Sequence, residues 1–324
     1  MNPILPLALS AIVERELAPF STTAVRDAAD QLSLDYRARG NIRHTLSPIE
    51  RAAYLGVRFP STLAVADTVW REISRILPAC EIRSVLDAGA GPGTASLASA
   101  AHVRGAKYTL LERDAGWRGL ALSLAQARGL EAAFSPGSIE HTAPFPEHDA
   151  VVASYALNEI ASSQLSNIVD ALWRGTGKIL VVIEPGTPHG FEIVRAVREQ
   201  ALALGAHAAA PCTHDLACPM SREDWCHRPV RVQRSALHRS LKRAELSYED
   251  EKFSYVVLTR DPPNRTGAGR IVRKPIRAKG HVHLDLCHDG GLHRLTLSRK
   301  QGATFKAARS AAWGEIWPPY SDGT

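Results

Sequence analysis

At 324 residues, 45% of them hydrophobic, the chain can bury one large core with one or two appendages, so it is globular rather than disordered. No apolar run reaches the length of a membrane-spanning helix. The formal net charge of +6 is regional: Arg222 to Arg309 holds 20 Lys and Arg against 9 Asp and Glu, a surplus of +11, while the remainder stands at −5. A basic segment of that density suits a phosphate backbone, although a solvated basic surface has the same composition.

In chain order, residues 1–80 read as helices: Pro3 to Ala18, Ser21 to Ser33, and an amphipathic stretch from Ser61 to Leu77. The run Pro3 to Val13 is apolar, but no basic flank precedes it and Glu14 and Glu16 follow, which fits neither a secretory signal nor an acid-poor transit peptide. Ser47-Pro48-Ile49-Glu50 is a helix start, with Ser47 as N-cap and Glu50 closing a capping box. From Arg83 short apolar strands alternate with helices: Ser84 to Ala88, Tyr108 to Glu112, Glu131 to Phe134, Ala150 to Ser154 and Lys178 to Glu184. That alternation predicts a doubly wound α/β sheet. Leu246 to Glu251 and Phe253 to Arg260 read as a closing antiparallel hairpin. Past the linker Asp261-Pro262-Pro263-Asn264, the runs Arg270 to Arg277, His281 to Cys287 and Leu292 to Arg299 read as strands of a small β module.

Val85 to Thr94 is a strand running into a glycine turn and then a helix. Gly89, Gly91 and Gly93 let the backbone bend and let a ligand approach closely, and Asp87 can accept a hydrogen bond from a cationic or hydroxyl group. Spacing alone allows a dinucleotide fold. The D-x-G-x-G-x-G form, with Asp87 at the strand end, resembles the S-adenosylmethionine loop of class I methyltransferases, which contacts the amino-acid part of that cofactor. Glu112, ending the second strand, is the residue type that receives ribose hydroxyls in both fold families. Ser138 and Ile139 match the place where the adenine is usually held. After the fourth strand, Ser154 to Glu159 stands where amino methyltransferases carry an Asn/Asp-Pro-Pro turn. That turn is missing, and Asn158 and Glu159 fit a cofactor-facing role no better than a packing one. Pro211-Cys212 imitates the nucleophile motif of cytosine-C5 enzymes but follows the fifth strand. No catalytic residue emerges.

Four of the five cysteines, Cys212, Cys218, Cys226 and Cys287, lie in the C-terminal third, spaced C-x5-C-x7-C and then a long gap; Cys80 is left over. Four thiolates around one point are what a soft metal or an iron-sulfur cluster needs. Three from an ordered loop and one from a distant strand would staple the β module to the sheet domain. Zinc is the main alternative, with His214, His227 and His288 as spare nitrogens, but the C-x2-C knuckles usual for structural zinc are absent. Buried, unrelated thiols are the plain alternative. With neither a targeting nor a membrane segment read, a reducing cytoplasm is the expected compartment, where a cysteine group is more often a metal site than a pair of disulfides.

The D-A-G-A-G-P-G-T loop, Pro211-Cys212-x-His214-x3-Cys218-Pro219 running on through Asp224-Trp225-Cys226-His227, the stretch Tyr248 to Tyr255, and Gly280 with Cys287 together resemble the methyltransferase-like small-ribosomal-subunit assembly family. Its best-known members serve mitochondrial ribosomes. The resemblance runs from about Tyr36 to Trp313. It implies a class I methyltransferase (Rossmann-like) fold, association with the maturing small ribosomal subunit and its rRNA, bound S-adenosylmethionine, and a [4Fe-4S] cluster on Cys212, Cys218, Cys226 and Cys287. Methyl transfer to RNA with a four-cysteine zinc site is the alternative function. The expected organisation is an N-terminal helical region at 1–80, a methyltransferase-like domain at 81–261 with a cysteine-rich insertion at 205–230, and a basic β module at 262–324. A monomer without membrane contact is expected.

Overall fold

The computed structural model describes residues 5–37, 45–141, 144–221, 223–264 and 268–318. Pro3, from which the first predicted helix starts, and Arg222, which opens the basic segment, lie outside them. Helices α1 (Leu7–Leu17), α2 (Thr22–Arg37), α3 (Pro48–Val57) and α4 (Phe59–Ile76) come first. Ser47 caps α3 as the sequence predicts: its hydroxyl accepts from the Glu50 amide and the Glu50 carboxylate accepts from the Ser47 amide, closing the box. Then follow β1 (Ser84–Ala88), α5 (Thr94–Ser99), β2 (Lys107–Glu112), α6 (Arg118–Ala127), β3 (Glu131–Pro136), β4 (His148–Ser154), α7 (Ser162–Arg174), β5 (Thr176–Pro185), α8 (Pro188–Ala203), β6 (His207–Ala210), β7 (Arg228–Gln233), α9 (Ala236–Lys242) and β8 (Tyr248–Thr259). The remaining elements are β9 (Gly269–Ile271), β10 (Ile276–Ala278), β11 (His281–His288), β12 (Gly291–Ser298), α10 (Gly302–Ser310) and β13 (Ile316–Trp317).

The main sheet has the order β3-β2-β1-β4-β5-β8-β6, with β7 also on β8. Strands β1 to β5 are parallel, and β8 runs antiparallel to β5, β6 and β7. This doubly wound order, reversing between β1 and β4, is that of the class I methyltransferase fold. Both sheet faces are covered, so the central strands are apolar on both sides. Val85, Val152 and Val181 pack with Trp70 of α4, while Leu86, Val151 and Leu180 pack with Leu172 of α7 and Val197 of α8.

The expected hairpin of Leu246–Glu251 and Phe253–Arg260 is one continuous strand, β8. The charged run Glu249 to Lys252 does not break it, because neighbouring cations hold its carboxylates: Arg234 and Lys242 on Glu249, Arg231 on Asp250. The partner of its first half is β7, which carries only two buried apolar residues, Val230 and Val232. The cysteine-rich stretch is a loop between two strands of the main sheet, β6 and β7. Arg270 to Arg277 divides into β9 and β10, and these two share one edge of β11 while β12 takes the other.

One buried ionic group joins the three parts of the molecule. Glu72 of α4, 6% exposed, meets Arg228 of β7 at 2.8 Å and Arg270 of β9 at 2.7 Å, and Tyr255 of β8 donates to it at 2.6 Å. Burial would raise the Glu72 pKa, but the two guanidinium groups outweigh it and hold the carboxyl below its usual range. A depressed carboxyl stabilises the fold above its unfolded pKa, and that contribution is lost as the pH falls through the folded value. Glu72→Ala strands the buried Arg270 and the partly buried Arg228 and should cost about 3–5 kcal/mol, read by urea denaturation at pH 7.

Candidate functional site

A cavity of about 690 Å³ opens at the carboxyl ends of the strands, where the order reverses between β1 and β4. The glycine loop forms one wall. Gly89 has φ 74°, and a Cβ there would stand 2.7 Å from the Ala156 Cβ. Gly91 has φ 53° with no atom within 4 Å of such a Cβ, so its open side belongs to the cavity. Its amide donates to Glu112 Oε2 at 2.8 Å, while Glu112 Oε1 accepts from the Asp114 amide at 2.8 Å. Glu112 thus braces the loop and retains lone pairs for a further donor. Gly93 is the residue before α5, and Ser138 and Ile139 lie on the same cavity beyond β3. All seven cofactor residues read from the sequence, Asp87, Gly89, Gly91, Gly93, Glu112, Ser138 and Ile139, are on or beside this cleft, with Gly93 in the turn behind the lining.

Asp87 differs in role from the simple reading. It is 1% exposed, and its Oδ2 accepts from the Ser96 amide at 3.1 Å and the Ser96 hydroxyl at 2.8 Å. The hydroxyl partner anticipated for it is therefore inside the protein. Burial pushes its pKa up to about 7, against the opposing pull of those bonds. Glu159 is likewise raised to about 7 by burial despite Arg113, and Glu184 to about 8 despite its bonds from Asn158 and Leu157. The cleft lining holds six carboxylates against three Lys and Arg. Thr94, 6% exposed and on the cleft, has a buried hydroxyl with no hydrogen-bond partner among the described residues. The arrangement favours a ligand that brings positive charge and a hydrogen-bonding group.

The opposite wall has no methyl-acceptor machinery of the Asn/Asp-Pro-Pro type. Asn158 donates through Nδ2 to Glu184 at 2.8 Å, and Arg113 ties Glu159 at 3.0 Å to Glu140 at 3.5 Å across the cleft. Sequence reasoning missed Arg113 and Glu184, since neither sits in a motif. Tyr155 holds φ 58°, rare for a side chain of its size.

The cysteines form a second centre behind the cleft. Cys212, Cys218 and Cys226 lie on the β6–β7 loop and Cys287 near the end of β11; its Sγ is 3.8 Å from His214 Nε2 of that loop. Burial raises Cys226 and Cys287, and the other thiols of the quartet raise them further, Cys287 to about 12. Cys218 is raised by burial and by Cys212. All five cysteines are free thiols, and Cys80 stands apart against the main core. The loop is pinned at several points. Arg198 of α8, 3% exposed, donates to the His214 and Leu216 carbonyls at 2.8 Å each, Ser254 donates to the Cys226 carbonyl at 2.8 Å, and Trp225 Nε1 donates to the Gly186 carbonyl at 3.0 Å. Arg270 reaches the Pro211 carbonyl at 2.7 Å, which links the quartet to the Glu72 clamp. Among the described residues, no three Cys, His, Asp or Glu side chains gather tightly enough to hold a single metal ion.

The family described as Mitochondrial small ribosomal subunit Rsm22 matches residues 48–318, a span that includes all four cysteines and the cleft lining apart from Ser33 and Leu46. The chain belongs to this family. Its relatives include the human ribosome assembly protein METTL17, mitochondrial, 28% identical over 289 residues, covering 82% of this chain and 62% of that protein. The Rsm22-cox11 tandem protein 2, mitochondrial, of Schizosaccharomyces pombe is 24% identical over 348 residues, covering 89% of this chain and 46% of that one. The chain thus spans about half to two thirds of these relatives. Among solved structures, magnesium protoporphyrin IX methyltransferase from Synechocystis with bound SAM is similar at 16% identity and TM-score 0.42, covering 74% of this chain and 97% of that one. In this Rsm22-family chain, α1 and α2 lie outside the matched span.

A carboxyl raised by burial stabilises the fold fully below its unfolded pKa, and that contribution is lost as the pH rises through the folded value. For Asp87 the window runs from about pH 4 to about 7. Asp87→Asn keeps an acceptor for Ser96 without the buried charge. It should stabilise the ligand-free protein on the order of 2 kcal/mol at pH 8 and little at pH 4, measured by thermal melts at both.

Proposed function

We propose that this chain is an assembly factor of the small ribosomal subunit that holds S-adenosylmethionine in the cleft, carries an iron-sulfur cluster on Cys212, Cys218, Cys226 and Cys287, and binds rRNA through its basic C-terminal third. The observation that carries the reading is the family match over 48–318, which takes in the glycine loop and the quartet together. The human relative named as a ribosome assembly protein supports the partner. A reducing cytoplasm is the compartment that suits five free thiols.

S-adenosylmethionine brings a sulfonium and an ammonium, and the cleft offers an excess of carboxylates, two of which, Asp87 and Glu159, burial raises to about 7. A cation beside Asp87 and Glu159 favours their ionised forms, so binding releases protons. Affinity for S-adenosylmethionine should therefore fall as the pH drops below about 7, by at most about tenfold per pH unit for each group, and isothermal titration between pH 6 and 8 reads it.

The quartet fits a thiolate-bound cluster by the chemistry of its donors. Four soft ligands converge in a site where burial and mutual repulsion hold three of the thiols protonated, so ionising all four calls for a strongly cationic centre. Arg198 and Arg270 offset part of the charge at Cys287. When bound, the cluster supplies a cross-link between the β6–β7 loop and β11. The other reading, methyl transfer to RNA beside a zinc site, lacks the Asn/Asp-Pro-Pro turn; Asn158, the amide at that place, donates through Nδ2 to Glu184 and keeps its carbonyl oxygen as an acceptor.

Anaerobically purified protein should carry about four irons and absorb in the visible. Cys218→Ser should lose the iron and expose the loop and the small module to protease before the glycine-loop half; uniform sensitivity contradicts the cross-link. Sedimentation should place the protein with small-subunit precursors, and a protein found only in the free pool at every growth stage would overturn the assembly reading.

A further inference from the structure

We propose that the outer face of β10–β11–β12 is a docking platform for single-stranded RNA, an inference that rests on the rRNA-binding reading and assigns it to one surface. Residues 268–318 hold 10 Lys and Arg against 3 Asp and Glu. The small sheet is two-sided. Val282, Leu284 and Leu286 of β11 are buried with Phe305 and Ala308 of α10. The alternate residues His281, His283 and Asp285 share the other face.

Register sets what stands beside them. Ser298, Thr296 and Arg294 of β12 are opposite His281, His283 and Asp285, and Leu292 is opposite Cys287. On the other flank, Ala278 and Ile276 of β10 are opposite His281 and His283. Ile276 is 50% exposed and Leu292 43%, large apolar side chains left in water. Asp285, the carboxylate of this face, is neutralised by a two-pronged contact from Arg294 at 2.7 and 3.0 Å. At one end of the sheet the chain gathers Lys279, Arg299 and Lys300. The Arg299 amide donates to the Gly280 carbonyl at 3.1 Å, and all three side chains are exposed and in no ion pair among the described residues.

A face of imidazoles, hydroxyls, one guanidinium and exposed aliphatics can take unstacked bases on their faces and edges, and the unpaired cations at its end can take the phosphates. A duplex turns its bases inward and presents sugar and phosphate, leaving Ile276 and Leu292 without a partner. The strand at the centre of this platform carries Cys287 next to its last residue, so the platform and the thiol quartet share β11.

The test is fluorescence anisotropy of the full chain with a labelled oligouridine and with an RNA duplex of equal length, across a salt series. Lys279→Glu/Arg299→Glu/Lys300→Glu should weaken oligouridine binding at least tenfold, and its log–log salt slope should become shallower by about two. The triple Arg75→Glu/Arg83→Glu/Lys107→Glu, with the same change of charge at other sites, should bind as wild type. Ile276→Ser/Leu292→Ser should weaken oligouridine and leave the duplex unchanged. Circular dichroism checks that each variant is folded. Equal binding by the Lys279 triple overturns the proposal. So does equal loss for duplex and single strand, which marks a general basic patch, and so does polyglutamate competing as well as oligouridine, which assigns the face to an acidic peptide. A wild type that binds neither RNA overturns the rRNA reading itself.

Discussion

The fold depends most on one buried carboxylate. Glu72 sits on a helix of the N-terminal region and is met by cations from the main sheet and from the small module, with a phenol from the central antiparallel strand. Each charge would be costly alone in an apolar core, and each is tolerable because the others are present. The arrangement therefore specifies docking as much as it stabilises. Arg270 extends the constraint to the Pro211 carbonyl and lies opposite Cys287 in the β9–β11 register, so the placement of two of the four thiols follows from the same clamp.

Two electrostatic regimes are kept apart by this scaffold. The cleft concentrates carboxylates at the switch point of the parallel sheet, whereas the C-terminal third displays positive charge outward. An anionic polymer is drawn to the second and repelled from the first, and a small cation finds the reverse. The Asn/Asp-Pro-Pro turn is missing after β4, and Asn158, the amide at that place, is oriented by its Nδ2 donation to Glu184.

Much of this was legible in the residues. The glycine loop, the alternation of strands and helices and the Ser47 box are local signals, and local signals survive folding with little change. The β8 strand was misread because Glu249 to Lys252 looks like a solvated turn until Arg231, Arg234 and Lys242 are seen beside it. The β7 strand, short and only half apolar, needed its partner to be recognised. Glu72 gave no sign at all, because a glutamate in an amphipathic helix is ordinarily wet and its partner Arg228 is 156 residues away. Asp87 was recognised by position, but its internal bond to Ser96 and its raised pKa depend on burial, which no spacing reveals.

The peptide at Gly186 serves two neighbours at once. Its carbonyl holds the indole of Trp225, between Asp224 and Cys226, while its amide donates to the Lys252 carbonyl at 2.9 Å and its open side lines the cavity. Phe191, one turn into the helix that follows, packs in the apolar group that carries Cys218, Cys226 and Cys287. The cleft and the packed group around the thiols are therefore back to back, with Gly186 and the first turn of that helix as the wall they share.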